Sequence, residues 1–244
     1  MARRRLSDTT HADKDLTDEY WLRFSDDPQP SMRDKIIYLT FEEVAKVGPG
    51  LFNVASVCDR LGVTHPMVNH YFGSRDSLLA ETAFRVYQRY VAGLWEAVES
   101  APREPKARLR AWLWKQIEST AELGGWGGIL NYPMGSLNIS QLIDEQFGDA
   151  IREVFEVNIM RLGMLVLDVV NDEVTLGVEP SDELRERLLA HPLVAAKAAS
   201  VAWSTLGVSV WHAGEHLPSS SVPELRENRE KFIEHHINTV MAAI

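Results

Sequence analysis

Cysteine is nearly absent from this chain, because Cys58 is the only one among its 244 residues. No disulfide can form within the chain, and a reducing compartment, the cytoplasm, is the predicted location. Cys58 lies among apolar residues at helical spacing, which favours a buried packing role over a reactive one. The opening Met-Ala-Arg-Arg-Arg lacks the apolar region that a secretory signal needs, so we expect no such signal.

Long apolar runs are also missing. The most apolar stretch, Met164 to Val170, is interrupted by Asp168, and it is far shorter than the ~20 residues that cross a bilayer as a helix. The 45% hydrophobic and 25% charged residues are ordinary for a soluble globular protein with a sizeable core. We therefore expect no membrane partner.

Positive charge is in deficit, since the chain carries a formal net charge of −10. This balance argues against an unspecific nucleic-acid binder. The deficit is uneven: residues 31–90 carry seven basic and six acidic side chains, whereas residues 91–244 carry 13 basic and 22 acidic ones. Most of the acid therefore lies outside the segment that holds the motif described below.

Strand patterns are absent too, whereas apolar residues recur three and four apart along most of the chain. We predict an all-α fold with a long helix from Arg75 to about Ser100. A nearly all-apolar helix is predicted at 149–171, separate from a short helix around 140–147. The glycine-rich stretch at 124–128 fits neither nucleotide-binding fingerprint, and we predict a flexible loop at the mouth of a pocket.

The most informative stretch runs from Asn53 to Arg75 and predicts two short helices joined by a tight turn. Asn53 is a good N-cap for the first helix, and Gly62 lies where a left-handed residue commonly ends one. Thr64 can cap the second helix, with Pro66 in its first turn. Together they form a helix-turn-helix, whose second helix enters the DNA major groove.

The residues around this motif resemble the DNA-binding domain of the TetR family of one-component transcriptional regulators. The similarity covers roughly residues 31–79. It rests on the turn Leu61-Gly62-Val63-Thr64, on His70-Tyr71-Phe72 at the end of the second helix, and on Ser74-Arg75 with Leu78-Leu79 beyond it. Agreement at so many positions, with helices before and after, is far more specific than a lone helix-turn-helix pattern.

The resemblance implies an N-terminal three-helix DNA-binding domain that a long fourth helix joins to a C-terminal helical domain for ligand binding and dimerisation. We predict a flexible extension at 1–30, the DNA-binding domain at 31–79 and the helical domain at 80–244. A basic arm built on Arg3 to Arg5 is the alternative to a disordered tail. The apolar group Tyr20-Trp21-Leu22 with Phe24 could dock on the body of the protein.

Predicted DNA contacts lie on or beside the second helix of the motif. Asn69 could pair with adenine, and Met67 could rest on a thymine methyl group. Tyr71, Arg75 and the backbone at Asn53 would hold phosphates, which fix position rather than sequence. The full predicted set is Asn53, Thr64, His65, Pro66, Met67, Asn69, His70, Tyr71 and Arg75.

Predicted ligand contacts cluster near several tryptophans, which could equally be ordinary core residues. Arg161 is the preferred polar anchor, because an unpaired arginine inside an apolar helix would be costly. The predicted ligand-binding set is Trp112, Gln116, Trp126, Tyr132, Asn158, Arg161 and Trp203. The resemblance implies that the last two long helices form the dimer interface, and their apolar faces suit that role, although burial within one subunit would give the same pattern. This interface set is Ala195, Ala199, Ala202, Leu225, Phe232, Ile233, His236, Ile237 and Val240.

Together these features predict a homodimeric regulator, most simply a repressor, which a small apolar or aromatic effector releases from a palindromic DNA operator. One alternative is a zinc-dependent hydrolase, since His212-Ala-Gly-Glu215-His216 matches the His-x-x-Glu-His pattern of inverted zinc peptidases. The other is a DNA-binding or scaffold protein that responds to no ligand. We predict that the chain is not an enzyme and that it needs neither cofactor nor metal.

Overall fold

The computed structural model describes residues 14–130, 137–174, 182–214 and 227–244. Within these ranges the regular elements are helices, in agreement with the predicted all-α fold. Among the described helices, none is long and apolar enough to cross a membrane. The chain divides into two compact units: unit 1 comprises Met1–Val86 with Gly124–Gly148, and unit 2 comprises Tyr87–Leu123 with Asp149–Ile244.

Unit 1 begins with four short or medium helices. They are α1 (Asp18–Trp21), α2 (Met32–Val47), α3 (Val54–Leu61) and α4 (His65–Phe72). Ser31 caps α2 by accepting a hydrogen bond from the backbone N–H of Asp34. Trp21 of α1 is only 3% exposed, so the predicted flexible extension at 1–30 is wrong for this part of the segment.

The next helix, α5 (Arg75–Ser100), has the predicted bounds, and the boundary between the two units falls within it after Val86. It is followed by α6 (Pro105–Leu123). The glycine-rich stretch is regular rather than a loop: a 3₁₀ turn at Gly124–Trp126 leads into the short helix α7 (Gly127–Leu130). These residues belong to unit 1, whereas the sequence prediction placed them in the C-terminal domain.

The remaining helices are α8 (Leu137–Asn171), α9 (Asp182–Leu189), α10 (Pro192–Gly214) and α11 (Arg229–Ala242). The two helices predicted at 140–147 and 149–171 are one continuous helix, α8. Gly148 does not interrupt it, because a single glycine in a helix costs only about 1 kcal/mol relative to alanine. The core of unit 2 consists of apolar side chains from α5, α6, α8, α9, α10 and α11, with α10 and α11 both packed against α6.

Candidate nucleic-acid interface

The helix-turn-helix forms as the sequence predicts. The Asn53 side chain caps α3 by accepting a hydrogen bond from the backbone N–H of Ala55 at 2.9 Å. Gly62 ends α3 in the left-handed region at φ 66°, ψ 30°, which glycine adopts without steric cost. Thr64 occupies the N-cap position of α4, but its side chain makes no capping hydrogen bond. The Thr64 hydroxyl is therefore not committed to the helix end.

The second helix of the motif, α4, has two distinct faces. Val68 and Phe72 point inward and are 2% and 8% exposed. The opposite face carries the predicted DNA-contacting side chains, of which Met67 and Tyr71 are half-buried. The exposed residues of this face are Thr64, His65, Pro66, Asn69 and His70.

Arg75, a predicted phosphate contact, forms hydrogen bonds within unit 1. Its Nε donates to the carbonyl oxygen of Phe52 at 3.3 Å, and its NH2 group donates to the carbonyl oxygen of Pro49. Its NH1 group bonds Asp76 at 2.8 Å, and the other carboxylate oxygen of Asp76 accepts from Asn138 at 2.6 Å. Arg75 thus fastens the loop before α3 to the start of α5.

Arg33 supports helix α4, a role that the sequence analysis did not predict. Its guanidinium, on α2, donates to the carbonyl oxygen of Tyr71 at 2.7 Å, and it also pairs with Glu81 of α5. It lies 4.6 Å from the centre of the Phe72 ring, within range for a cation–π interaction. Arg33 therefore stabilises the carboxyl end of α4 through the Tyr71 carbonyl and the Phe72 ring. Residues 38 and 48 positions apart give no local signal for such a contact.

The exposed face of α4 offers hydrogen-bonding groups without Lys or Arg. Among the described residues of unit 1, Arg33 pairs with Glu81, Arg60 with Glu42 and Arg75 with Asp76. These arginines organise the domain rather than supply an unpaired positive surface. Backbone N–H groups at helix N-termini are the other source of attraction for phosphates.

Trp126, a predicted ligand contact, packs against helix α2. Its side chain is 0% exposed, and its Nε1 donates to the carbonyl oxygen of Phe41 at 2.9 Å. The two rings stack, with centroids 6.4 Å apart and an interplanar angle of 9°. Trp126 therefore anchors the glycine-rich turn to α2.

The glycines before Trp126 explain how the chain comes so close to α2. A Cβ on Gly124 would overlap the carbonyl group of Ala45, and Gly124 also has φ +51°. A Cβ on Gly125 would overlap the carbonyl oxygen of Val44 and lie 2.6 Å from the Cα of Gly48. The four-glycine stretch is thus explained at these two positions by close contact between backbones, not by a nucleotide or a mobile loop.

Four predicted ligand residues lie within unit 2, with Trp112 and Gln116 on α6 and Asn158 and Arg161 on α8. Asn158 accepts a hydrogen bond from the Trp95 ring nitrogen at 3.1 Å, and Gln116 accepts one from the hydroxyl of Tyr90. Burial raises the pKa of Tyr90 far above its usual value, so this hydroxyl stays a donor. Trp112 is 2% exposed, and no described group accepts a hydrogen bond from its Nε1.

Arg161, the predicted polar anchor, lies on α8 and has two partners on α5. It bonds Glu99 at 3.2 Å, and its guanidinium lies 4.4 Å from the centre of the Trp95 ring. The prediction that Arg161 needs a partner is met by a carboxylate and an aromatic face. The pair is partly open to solvent, with side-chain exposures of 27% and 62%.

Trp203, also a predicted ligand contact, has a side chain that is 74% exposed. It belongs to an outward-facing stripe of α10. The stripe consists of Leu193, Ala196, Ser200, Trp203, Ser204 and Gly207, all exposed. The opposite stripe of α10 is buried in unit 2 and consists of Val194, Ala198, Val201, Thr205 and Ser209.

The predicted dimer residues on α11 divide in two. Ile233, Ile237 and Val240 are 3%, 0% and 9% exposed within a single subunit, so they leave little surface for a partner. Burial within one subunit, the alternative that the sequence left open, explains these three. Phe232 and His236 remain half-buried, as do Ala199 and Ala202 on α10.

Several predicted positions lie outside the described residues. They are Tyr132, the side chain of Ala195, Leu225, and the Glu215 and His216 of the possible zinc motif. His212 lies in the last turn of α10.

Comparison with known proteins supports the assignment of the helix-turn-helix. The HTH-type transcriptional regulator BetI of Burkholderia ambifaria is 31% identical over 88 residues, which is 34% of this chain and 45% of that protein. The regulator of the same name from Yersinia pestis is 34% identical over 89 residues, 34% of this chain and 42% of that protein. This chain thus spans less than half the length of these relatives.

A solved transcriptional regulator from Rhodococcus sp. Rha1 superposes with a TM-score of 0.58 at 16% identity, covering 88% of this chain and 96% of that one. At this identity the likeness concerns the fold alone. No family model matches the chain. The relatives share the kind of motif that α3 and α4 form. Unit 1 carries a helix-turn-helix domain similar to that of HTH-type transcriptional regulators.

The single cysteine of the chain, Cys58, is buried in unit 1. Cys58 is 5% exposed, and burial, with a smaller contribution from Asp59, raises the pKa of its thiol. A neutral buried thiol is a poor nucleophile, so the packing role expected for Cys58 agrees with its place in the domain. The relatives are named for regulation rather than catalysis, in line with the prediction that the chain is not an enzyme.

Proposed function

We propose that the chain is a homodimeric DNA-binding transcriptional regulator, acting as a repressor that a small apolar or aromatic ligand releases from its operator. The observation that carries this proposal is the exposed face of α4, whose polar side chains lie on a helix-turn-helix with its core packed behind it. The names of the relatives support the regulatory class.

Sequence would be recognised by side chains of α4. Asn69 is exposed in the middle of the helix and has the donor and acceptor that pair with adenine in the major groove. Met67, the half-buried neighbour of the buried Val68, offers apolar surface for a thymine methyl group. The uncommitted Thr64 hydroxyl, at the start of the helix, is suited to a phosphate or base edge.

Dimerisation would use the outward stripe of α10. An exposed tryptophan on a helix face with small residues on either side is typical of an interface, since large aromatic surfaces are rarely left in water. Two copies related by a two-fold axis would place Trp203 of each against Ser200 and Gly207 of the other. Such symmetry matches a palindromic operator with half-sites about one helical turn, ~34–36 Å, apart.

The effector would bind within unit 2, close to α6 and α8. The buried Trp112 Nε1 without a described acceptor is the supporting observation, because leaving such a donor unpaired costs about 1–3 kcal/mol. An effector with an apolar body and one acceptor oxygen would satisfy it. The effector must bind the DNA-free state more tightly, or it would not shift the equilibrium.

The test begins with a duplex selected by the protein from a random-sequence library. Anisotropy with that duplex and with a shuffled one should show preference for the selected sequence and palindromic half-sites in it. Asn69→Ala should reduce that preference by about 1–3 kcal/mol at one base position, with little change in the salt dependence. The proposal fails if the selected and shuffled duplexes bind equally well.

A further inference from the structure

The segment Thr17–Phe24, called here the N-terminal brace, packs on helix α2 rather than extending into solvent. Thr17 caps α1 by accepting from the backbone N–H of Tyr20. Phe24 stacks on Tyr38 of α2, with centroids 5.0 Å apart and rings 10° from parallel. Trp21, 3% exposed, packs beside the same Tyr38 ring at 6.4 Å. The aromatic contacts fix the brace to one face of α2.

One carboxylate connects the brace to the helix-turn-helix. Glu42 of α2 accepts hydrogen bonds from the Tyr20 hydroxyl at 2.5 Å and from Arg23 at 2.7 Å. It also accepts one from Arg60 of α3 at 3.0 Å. The guanidinium carbons of Arg23 and Arg60 lie 4.5 Å and 5.8 Å from the centre of the Tyr20 ring. Tyr20 and Glu42 thus hold both arginines at once.

The electrostatics favour this arrangement. Burial, then the hydrogen bond and negative charge of Glu42, raise the pKa of Tyr20 well above its usual range. The phenol therefore remains a neutral donor to the carboxylate. The Glu42 and Arg60 side chains are each 28% exposed, so water screens their pairing less than it would a fully exposed surface pair.

We propose that Tyr20 and Glu42 are positioning residues for DNA binding, which set the angle of α3 on α2 through Arg60. Arg60 lies in the last turn of α3, two residues before Gly62 begins the turn into α4. A displacement of this end of α3 would therefore move α4 with it. Base contacts depend on the placement of α4 to within tenths of an ångström, whereas phosphate attraction tolerates such a shift.

This inference rests on the proposed DNA-binding function, and the experiment separates the two. The variants are Glu42→Gln, Tyr20→Phe and Arg60→Met, with Glu43→Gln as the matched control. Glu43 is the adjacent residue on α2 and is also half-buried, so its replacement removes the same charge without breaking the network. Each variant is titrated against the library-selected duplex and its shuffled counterpart, over a range of salt, below the unfolding temperature of every variant.

We expect Glu42→Gln to weaken binding to the selected duplex by about 10-fold, the effect of losing charge-assisted hydrogen bonds that order a neighbouring element. Binding to the shuffled duplex and the salt slope should stay unchanged, because the number of phosphate contacts is the same. Arg60→Met should reproduce the loss, and the double variant should be no weaker than either single one. Tyr20→Phe, which removes only one hydroxyl, should weaken binding by roughly 3-fold.

Two results would overturn the inference. One is that Glu42→Gln binds no more weakly than Glu43→Gln. The other is tighter binding of Glu42→Gln with a steeper salt slope, since Glu42 would then be withholding Arg23 and Arg60 from phosphates. A wild-type protein that does not discriminate the selected duplex contradicts the proposed function instead. If Glu42→Gln does not fold, the Tyr20→Phe and Arg60→Met data decide the question by the same criteria.

Discussion

Replacement of Trp126 by phenylalanine tests whether the glycine-rich turn anchors helix α2. The change keeps an aromatic ring for stacking on Phe41 but removes the Nε1–H donor, whose bond to the Phe41 carbonyl oxygen is 2.9 Å long. A hydrogen bond of this kind contributes about 0.5–1.5 kcal/mol. The smaller ring also leaves a void at a side chain that is 0% exposed, which adds roughly 1 kcal/mol or more.

We therefore expect Trp126→Phe to lower the free energy of unfolding by about 2 kcal/mol, and Trp126→Ala by about 3–5 kcal/mol. Urea unfolding followed by far-UV circular dichroism measures both. Amide exchange along α2 locates the loss, which should be greatest between Phe41 and Gly48. Leu51→Ala is the control, because Leu51 lies in the same unit and is 80% exposed.

The control should change the free energy of unfolding of the monomeric protein by no more than about 0.5 kcal/mol. The reasoning is refuted if Trp126→Phe is as stable as the control, or if exchange in α2 is unaffected by Trp126→Phe. A Trp126 that lined a ligand pocket would show that second pattern.

Three further predictions concern other positions. Gly125→Ala should lower the free energy of unfolding, because the added Cβ would overlap the Val44 carbonyl oxygen. A thermal melt should therefore show a lower transition temperature. Cys58 should react with a thiol reagent far more slowly in the native than in the urea-unfolded protein, since burial raises its pKa; equal rates would contradict its packing role. Burial and the adjacent His235 lower the pKa of His236, so the unfolded chain binds the proton more readily. Stability should be complete above the unfolded-state pKa of about 6.5 and fall as the pH drops below it. The urea midpoint should thus decrease from about pH 7.5 to about pH 5.5, and His236→Gln should reduce that decrease.

Much of the helix-turn-helix could be predicted because its signals are local. The Asn53 cap and the left-handed Gly62 each depend on residues within a few positions, and each is found as expected. The same holds for the bounds of α5. Capping groups and helical periodicity act within one or two turns, so a sequence displays them directly.

The contacts that could not be predicted join distant parts of the chain. Trp126 and Phe41 are 85 residues apart, and Arg75 bonds carbonyls 23 and 26 residues before it. A carbonyl oxygen is present at every position and so leaves no trace in the sequence. For this reason the sequence does not distinguish an arginine that faces solvent from one that bonds backbone carbonyls, as Arg75 and Arg33 do.

The discontinuity of unit 1 bears on how the protein is made. Because this unit includes Gly124–Gly148 as well as Met1–Val86, a ribosome must synthesise more than half of the chain before Trp126 is available to cover Phe41. During that interval α2 would expose an aromatic surface to other proteins, a state that chaperones recognise. A fragment ending at Val86 would keep that surface permanently. We therefore expect the helix-turn-helix to need the glycine-rich turn for solubility, even when isolated from unit 2.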